Sequence, residues 1–300
     1  MLSNRDLAIA QRGGRGLAVT ATIAGFGLLA TACSSNHAIS DDVTPPALTV
    51  SPTAPVSGYD GLSRAPLSSY GTSEQDSDLL FETRKALIIR CMKGRGNEAY
   101  SGQNIIRVAV KGSKEALRPA GAWGYIGRGT AEHKGFHTAI AAPDRVGGGS
   151  GYSQKDFQAC SVETNKLLPT LAETDGWKLT QALFNQSFQQ TAADKRVVSA
   201  RNRWATCMAA AGHPARDPEE LAAGPWDTAQ PTADEIAAAT AAESCTAYSH
   251  LAAVYFAVLT GYQRQLISAN SVALNVYQKQ VDENVGKAAL LLVESSGSAR

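Results

Sequence analysis

From residue 79 onward, apolar residues recur every three or four positions, the spacing that lines one face of an α-helix. Ser77 as N-cap opens a first helix in which Leu80, Arg84, Leu87, Ile88 and Cys91 share a face, with Gly94 or Gly96 as its stop. A second starts at Ser153, with Asp156 three residues on, and aligns Phe157, Cys160, Thr164, Leu167 and Leu168 before Pro169. A third is predicted over 177–211, carrying Leu179, Leu183, Val197, Val198, Trp204, Cys207 and Met208; Gly212 and Pro214 stop it. Thr232 and Glu235 spell a capping box at the head of the longest pattern. That pattern runs through Leu251, Tyr255, Val258, Leu259, Tyr262, Leu266, Tyr277, Val281 and Val285 without a proline. If continuous over 247–290 it is about 65 Å long, with Gly261 and Gly286 as the expected kinks. The 97–151 stretch is different. It offers one strand-like run (104–110) and glycine-rich loops around Trp123–Gly129 and Gly147–Gly151.

The N-terminus follows another rule. Arg5, Arg12 and Arg15 precede an apolar run over 17–30, too short to span a bilayer as a permanent helix. This is the layout of a secretory signal, and no Arg-Arg pair points to the twin-arginine route. The run ends Leu29-Ala30-Thr31-Ala32-Cys33, which resembles the lipobox of bacterial lipoproteins. That resemblance implies cleavage before Cys33, acylation of its thiol (a palmitate-type anchor) and residence on the extracytoplasmic face of the cell membrane. The alternative is an ordinary signal peptide cut after Ala32 that leaves Cys33 a free thiol. Residues 1–32 are thus expected to be the signal peptide. Residues 33–76, with five of the twelve prolines among Ser, Thr and Gly, are expected to be a disordered tether spanning roughly 35 Å. The helical domain is expected over 77–295, with 296–300 as a disordered tail.

The five cysteines divide into Cys33 and four others: Cys91, Cys160, Cys207 and Cys245. An even number in an exported chain implies two disulfides, and the absence of any Cys-x-x-Cys argues against zinc. Cys91-Met92 and Cys207-Met208 each open the pattern Cys-Met-x-x-x-Gly, and these are the only methionines besides Met1. Each such helix is followed by one with a lone cysteine. One motif used twice predicts Cys91–Cys160 and Cys207–Cys245; cross-pairing of Cys91 with Cys207 is the rival. The expected fold class is therefore mostly α: a disulfide-stapled helical domain with a long C-terminal helix and one irregular, loop-rich insertion.

The lipobox, the Ser/Pro stretch, the two Cys-Met-x-x-x-Gly helix ends, a Gly-Tyr-Ile-Gly loop and Tyr262-Gln263 in a long last helix together resemble an uncharacterised group of secreted actinobacterial lipoproteins. The resemblance covers about 79–292 and implies compartment and architecture; it attaches no activity.

Composition narrows the function classes. In 300 residues, 28 Lys+Arg face 27 Asp+Glu, a net charge of +1 that gives no footprint for nucleic acid. Removing the three Arg and one Asp of residues 1–32 turns that +1 into −1. Gly148-Gly149-Ser150-Gly151-Tyr152 lacks the last glycine of a nucleophile elbow, and Gly127-Arg128-Gly129 lacks the third glycine of a dinucleotide loop. His133 and His137 are spaced for metal on a helix, but Gly135 between them disfavours one and no third ligand is near in sequence. His213 reads as a cation at a helix C-terminus and His250 as a packing residue; Glu163 and Asn165, beside Cys160, read as helix-capping or surface groups, with a catalytic carboxylate as the alternative. Trp123 and Tyr125, set among glycines, are the candidate ligand contacts; the alternative is a hydrophobic plug over the helical core. The chain is read as a non-enzymatic, membrane-anchored module that binds a protein or envelope component, with no cofactor and no metal. The alternatives are an envelope hydrolase with dispersed catalytic residues and a small-molecule binder.

Overall fold

Helices begin where a side-chain oxygen meets free N–H groups and end where the chain can turn left-handed, and such signals punctuate this chain throughout. A computed structural model describes residues 44–48, 51–105, 122–136, 151–172, 174–226, 228 and 230–297. Among these residues lie α1 (Gly58–Ser63), α2 (Glu74–Gly94), α3 (Arg128–Lys134), α4 (Gln154–Leu167) and α5 (Asp175–Ala193). They are followed by α6 (Lys195–Ala210), α7 (Pro218–Ala222), α8 (Ala233–Ser249) and α9 (Leu251–Gly297). No strand occurs among the described residues, so the molecule is mostly α as expected. None of their helices is long and apolar enough to cross a membrane.

The long helix α9 is the spine. It packs against α5, α2, α6 and α8, while α3 and α6 pack on α8, and α4 packs on α2. The largest apolar cluster joins Val197, Trp204 and Met208 of α6 to Ala238, Ala242 and Cys245 of α8 and to Leu251, Tyr255, Val258 and Leu259 of α9. Withdrawing each large side chain from water is worth about 1.5–3 kcal/mol. A separate, smaller cluster joins Ile88, Met92, Tyr100 and Cys160 between α2 and α4.

Both predicted disulfides are present, Cys91–Cys160 and Cys207–Cys245. The Cys-Met-x-x-x-Gly repeat has a geometric meaning. In α2 the Asn97 N–H donates to Met92 O and the Gly96 N–H to Lys93 O; in α6 His213 donates to Met208 O and Gly212 to Ala209 O. This is the Schellman arrangement, with the glycine left-handed at φ 85° and 84°. Met92 and Met208 occupy the same cap position and are both fully buried.

Several expectations need correction. Residues 51–76 are not a free tether: α1 and a 3₁₀ turn over Pro66–Ser69 form there, and Ala65 and Leu67 are buried. The buried Gln263 explains why. Its Oε1 accepts from Leu67 N (2.9 Å) and its Nε2 donates to Ser187 Oγ (3.2 Å), so α9 supplies the burial this segment cannot supply itself. Gly71 N likewise donates to Gln278 Oε1 (2.8 Å). α2 starts one turn earlier than predicted, because Ser73 and Asp76 form a capping box ahead of Ser77. The 177–211 helix is two helices, broken at Asp194, which leaves the helical conformation and caps α6 by accepting from Arg196 N. The last pattern also breaks, at His250 in the left-handed conformation, and again becomes irregular at Asn270. Gly261 and Gly286 stay helical, and α9 continues to Gly297, two residues into the expected tail. Leu167 is exposed, its place in the core taken by Leu168. The signal peptide 1–32, Cys33, the 106–110 part of the strand-like run, His137 and Gly147–Ser150 lie outside the described residues.

Candidate functional site

The insertion between α2 and α4 presents its described half, 122–136, to α8 and to residues 51–58 of an N-terminal strap described over 44–48 and 51–58. Trp123 takes φ 66°, followed by Gly124 at 67°, a reversal that drives the indole inward. It stacks on Tyr255 with ring centroids 4.3 Å apart and meets Phe256 edge-on at 5.9 Å. Trp123 thus packs onto the core, the plug of the alternative reading. Tyr125 turns the other way. Its hydroxyl donates to Pro55 O (2.9 Å) and its carbonyl accepts from Gly58 N (2.6 Å), which fixes the strap against the insertion. Gly127 completes the contact at φ 85°, where a Cβ would lie 2.2 Å from Val56 O; no other residue fits.

Beneath this seam lies Glu243, one of the two buried carboxylates of α8. It is 8% exposed, and its Oε1 accepts from Gly127 N (3.2 Å). Burial pushes its carboxyl up to about 7, opposed by the hydrogen bonds from the Gly127 and Ile126 backbone. Tyr125 is pushed up to about 12 by burial and then by Glu243. Above them opens a groove of about 770 Å³, lined by the strap, Tyr125, Arg128, Glu243, Ser244 and His250. A smaller cleft of about 420 Å³ continues from it past Tyr59 and Asp60. The groove therefore has an aromatic wall, a carboxylate that changes charge near neutral pH, and an exposed Arg128 at its rim, paired with Glu132 (2.9 Å). It can hydrogen-bond and orient a ligand.

Of the two candidate contacts, Tyr125 lines the groove and Trp123 does not. His133 stands exposed in the last turn of α3. Among the described residues no group of three His, Cys, Asp or Glu comes together as metal ligands would. His250 is exposed, not packed; its left-handed backbone ends α8. His213 donates its backbone N–H to the end of α6. Glu163 and Asn165 tie α4 to α2, pairing with Arg95 (2.5 Å) and Arg84 (2.7 Å). Sequence reading missed Glu243 and the strap. Glu235, Ala239 and Glu243 follow one another at four-residue spacing on the buried face of α8, a signal that could have singled out Glu243.

Comparison with known protein families, with characterised proteins and with solved structures finds no match.

Proposed function

We propose that this chain is a lipoprotein of the outer face of the bacterial cell membrane, acylated at Cys33, whose helical body binds a protein or envelope component without catalysing a reaction. One observation carries the reading. Four cysteines pair with one another, and the fifth stands directly behind a small-residue stretch that closes an apolar leader. Disulfides belong to an oxidising compartment, and acyl chains at Cys33 hold a protein on a membrane at about 0.8 kcal/mol per buried CH₂. The groove beside Tyr125 is the binding surface of this reading. Its polar backbone groups are engaged in holding the strap, which suits a fixed docking surface.

Fractionation of the host tests the anchor: Cys33→Ala moves the protein from the membrane fraction to the medium. Cross-linking in the host tests binding: the native chain captures a partner, and Tyr125→Ala reduces that capture. A protein that stays in the membrane fraction after Cys33→Ala contradicts the anchor, and cross-linking to nothing contradicts the binding role.

The neutral-range titration of Glu243, in a groove that also holds Ser244 and His250, favours a second reading, a hydrolase. Against it, Ser244 Oγ donates to Thr240 O, which commits the hydroxyl to its own helix. Hydrolysis of model esters or glycosides that Glu243→Gln abolishes would favour this reading over the first.

A further inference from the structure

The first described residues of the strap are fastened at one end of α6. Gln265 Nε2 donates to Thr44 O (3.1 Å), and Arg196 Nη1, from the first turn of α6, donates to Pro46 O (2.7 Å). The Pro46 ring lies against Gly261, where a Cβ would come within 2.3 Å of it. From the same end a shallow cleft of about 960 Å³ follows the outer face of α6. It runs from Ala193 and Lys195 past Val198 and Arg203 to Ala210, with Tyr248 of α8 along its side. Tyr248 is 71% exposed and Val198 37%. Among the described residues lining the cleft there are two basic groups, Lys195 and Arg203, and no carboxylate. An exposed aromatic ring and aliphatic floor edged by long basic side chains suit the boundary between water and lipid.

We propose that this face of α6, with Tyr248, rests on an anionic phospholipid surface. Tyr248 and Val198 enter the headgroup layer, Lys195 meets the phosphates, and Arg203, whose Nη1 and Nη2 donate to Ser199 Oγ (2.9 Å) and Ser249 O (3.0 Å), adds its charge at the rim. The inference rests on the reading of Cys33 as the lipid attachment point. Because the strap is bound from Thr44, only ten residues lie between it and Cys33, eleven Cα–Cα steps and a reach of at most about 40 Å. Asp41 and Asp42 lie in that connection and share the sign of anionic lipid, so the connection itself supplies no attraction.

The test uses the full mature chain in vesicles of phosphatidylglycerol and phosphatidylethanolamine, with a photo-crosslinking phenylalanine analogue replacing Tyr248. The same analogue replaces Leu290 as the control, an exposed residue far along α9. Lipid adducts are expected at 248 and not at 290. In Lys195→Gln the yield at 248 falls about fivefold, the value of one basic residue at an anionic surface. No lipid adduct at 248, adducts to protein there, or equal yields at 248 and 290 overturn the proposal. The mass of the Cys33 peptide in the same sample reads the anchor separately. Acylated Cys33 with a lipid-free position 248 overturns the face and leaves the anchor. Unmodified Cys33 with adducts at 248 overturns the anchor and leaves the face.

Discussion

The two Cys-Met corners share one helix cap and one bridge geometry, with Cα atoms 5.6 Å apart in both disulfides, yet they stand in different surroundings. At the first, α4 packs on α2 over a small cluster, and the Asn97 side chain reaches across to Ser153 N (3.0 Å) and Asp156 Oδ2 (3.2 Å). At the second, α8 touches α3, α6 and α9, and Trp204, Met208 and Cys245 belong to the largest core. A disulfide substitutes for packing in the first case and adds to it in the second. The repeated motif specifies how a helix ends and where a sulfur points; the neighbours decide what the bridge is for.

Trp204 and Ile88 hold equivalent places, three residues before their cysteines. Trp204 is fully buried and donates to Thr246 Oγ1 (3.0 Å). Trp204→Ala is expected to cost about 4 kcal/mol, and Ile88→Ala, in the smaller cluster, about 2–3 kcal/mol, read by chemical denaturation. Equal losses would erase the distinction between the corners.

Removing either bridge costs about 4 kcal/mol by chain entropy, since the closed loops of 69 and 38 residues differ little on a logarithmic scale. The local consequence separates them. Hydrogen exchange in Cys91→Ala/Cys160→Ala should show α4 losing protection while the rest of the chain keeps it. In Cys207→Ala/Cys245→Ala, α8 should keep its protection relative to its neighbours.

The corners also respond to pH with opposite sign. The Glu243 carboxyl, raised to about 7 by burial, holds its proton more tightly folded than unfolded. Stability from that side is full below the ordinary carboxylate range and falls as pH rises towards about 7, by an amount of the order of 3 kcal/mol. Glu243→Gln should remove that slope from denaturation curves taken at acid and neutral pH. Asp156 is the reverse: hydrogen bonds from Ser153 and Asn97, then Arg95, hold its carboxyl below the usual range. Its contribution is present above that range and is lost as pH falls, and Asn97→Ala should weaken this acid sensitivity.

The smallest effect tests the equivalence itself. At Gly96 and Gly212 a Cβ would meet nothing within 4 Å, so only the left-handed backbone opposes one. Gly96→Ala and Gly212→Ala should each cost about 1 kcal/mol, and clearly unequal costs would show that the caps are not the same device.

What can be read in the sequence is local. Capping residues mark the starts of α4 and α8, and Gly-terminated Cys-Met motifs mark the ends of α2 and α6, because those signals act within a few residues; the cysteine pairing, across 69 and 38 positions, shows only because the motif is used twice. Proline-rich composition misleads at the strap because it says only that a segment cannot bury itself; the fit of Pro46 against Gly261 and of Leu67 beneath Gln263 joins residues about two hundred positions apart. The break at Asp194 is hidden for a related reason. Asp194 is buried with Arg196 (2.6 Å) and the Tyr262 hydroxyl (3.3 Å), partners that outweigh a continuous helical pattern. Tyr262-Gln263 is visible as a motif, but its role, locking α9 to α5, to Asp194 and to the 3₁₀ turn at Leu67, lies in three dimensions. At the site, Tyr125 is legible from its glycine setting, and Glu243 is marked only by its register with Glu235 on the alanine-rich face of α8.

One cysteine is set apart from four, and mass mapping of unreduced peptides from the host membrane fraction tests that division directly. The expected result is a chain beginning at an acylated Cys33, with Cys91 joined to Cys160 and Cys207 to Cys245. A chain that starts elsewhere with Cys33 as an unmodified thiol, or a Cys91–Cys207 peptide, would contradict it.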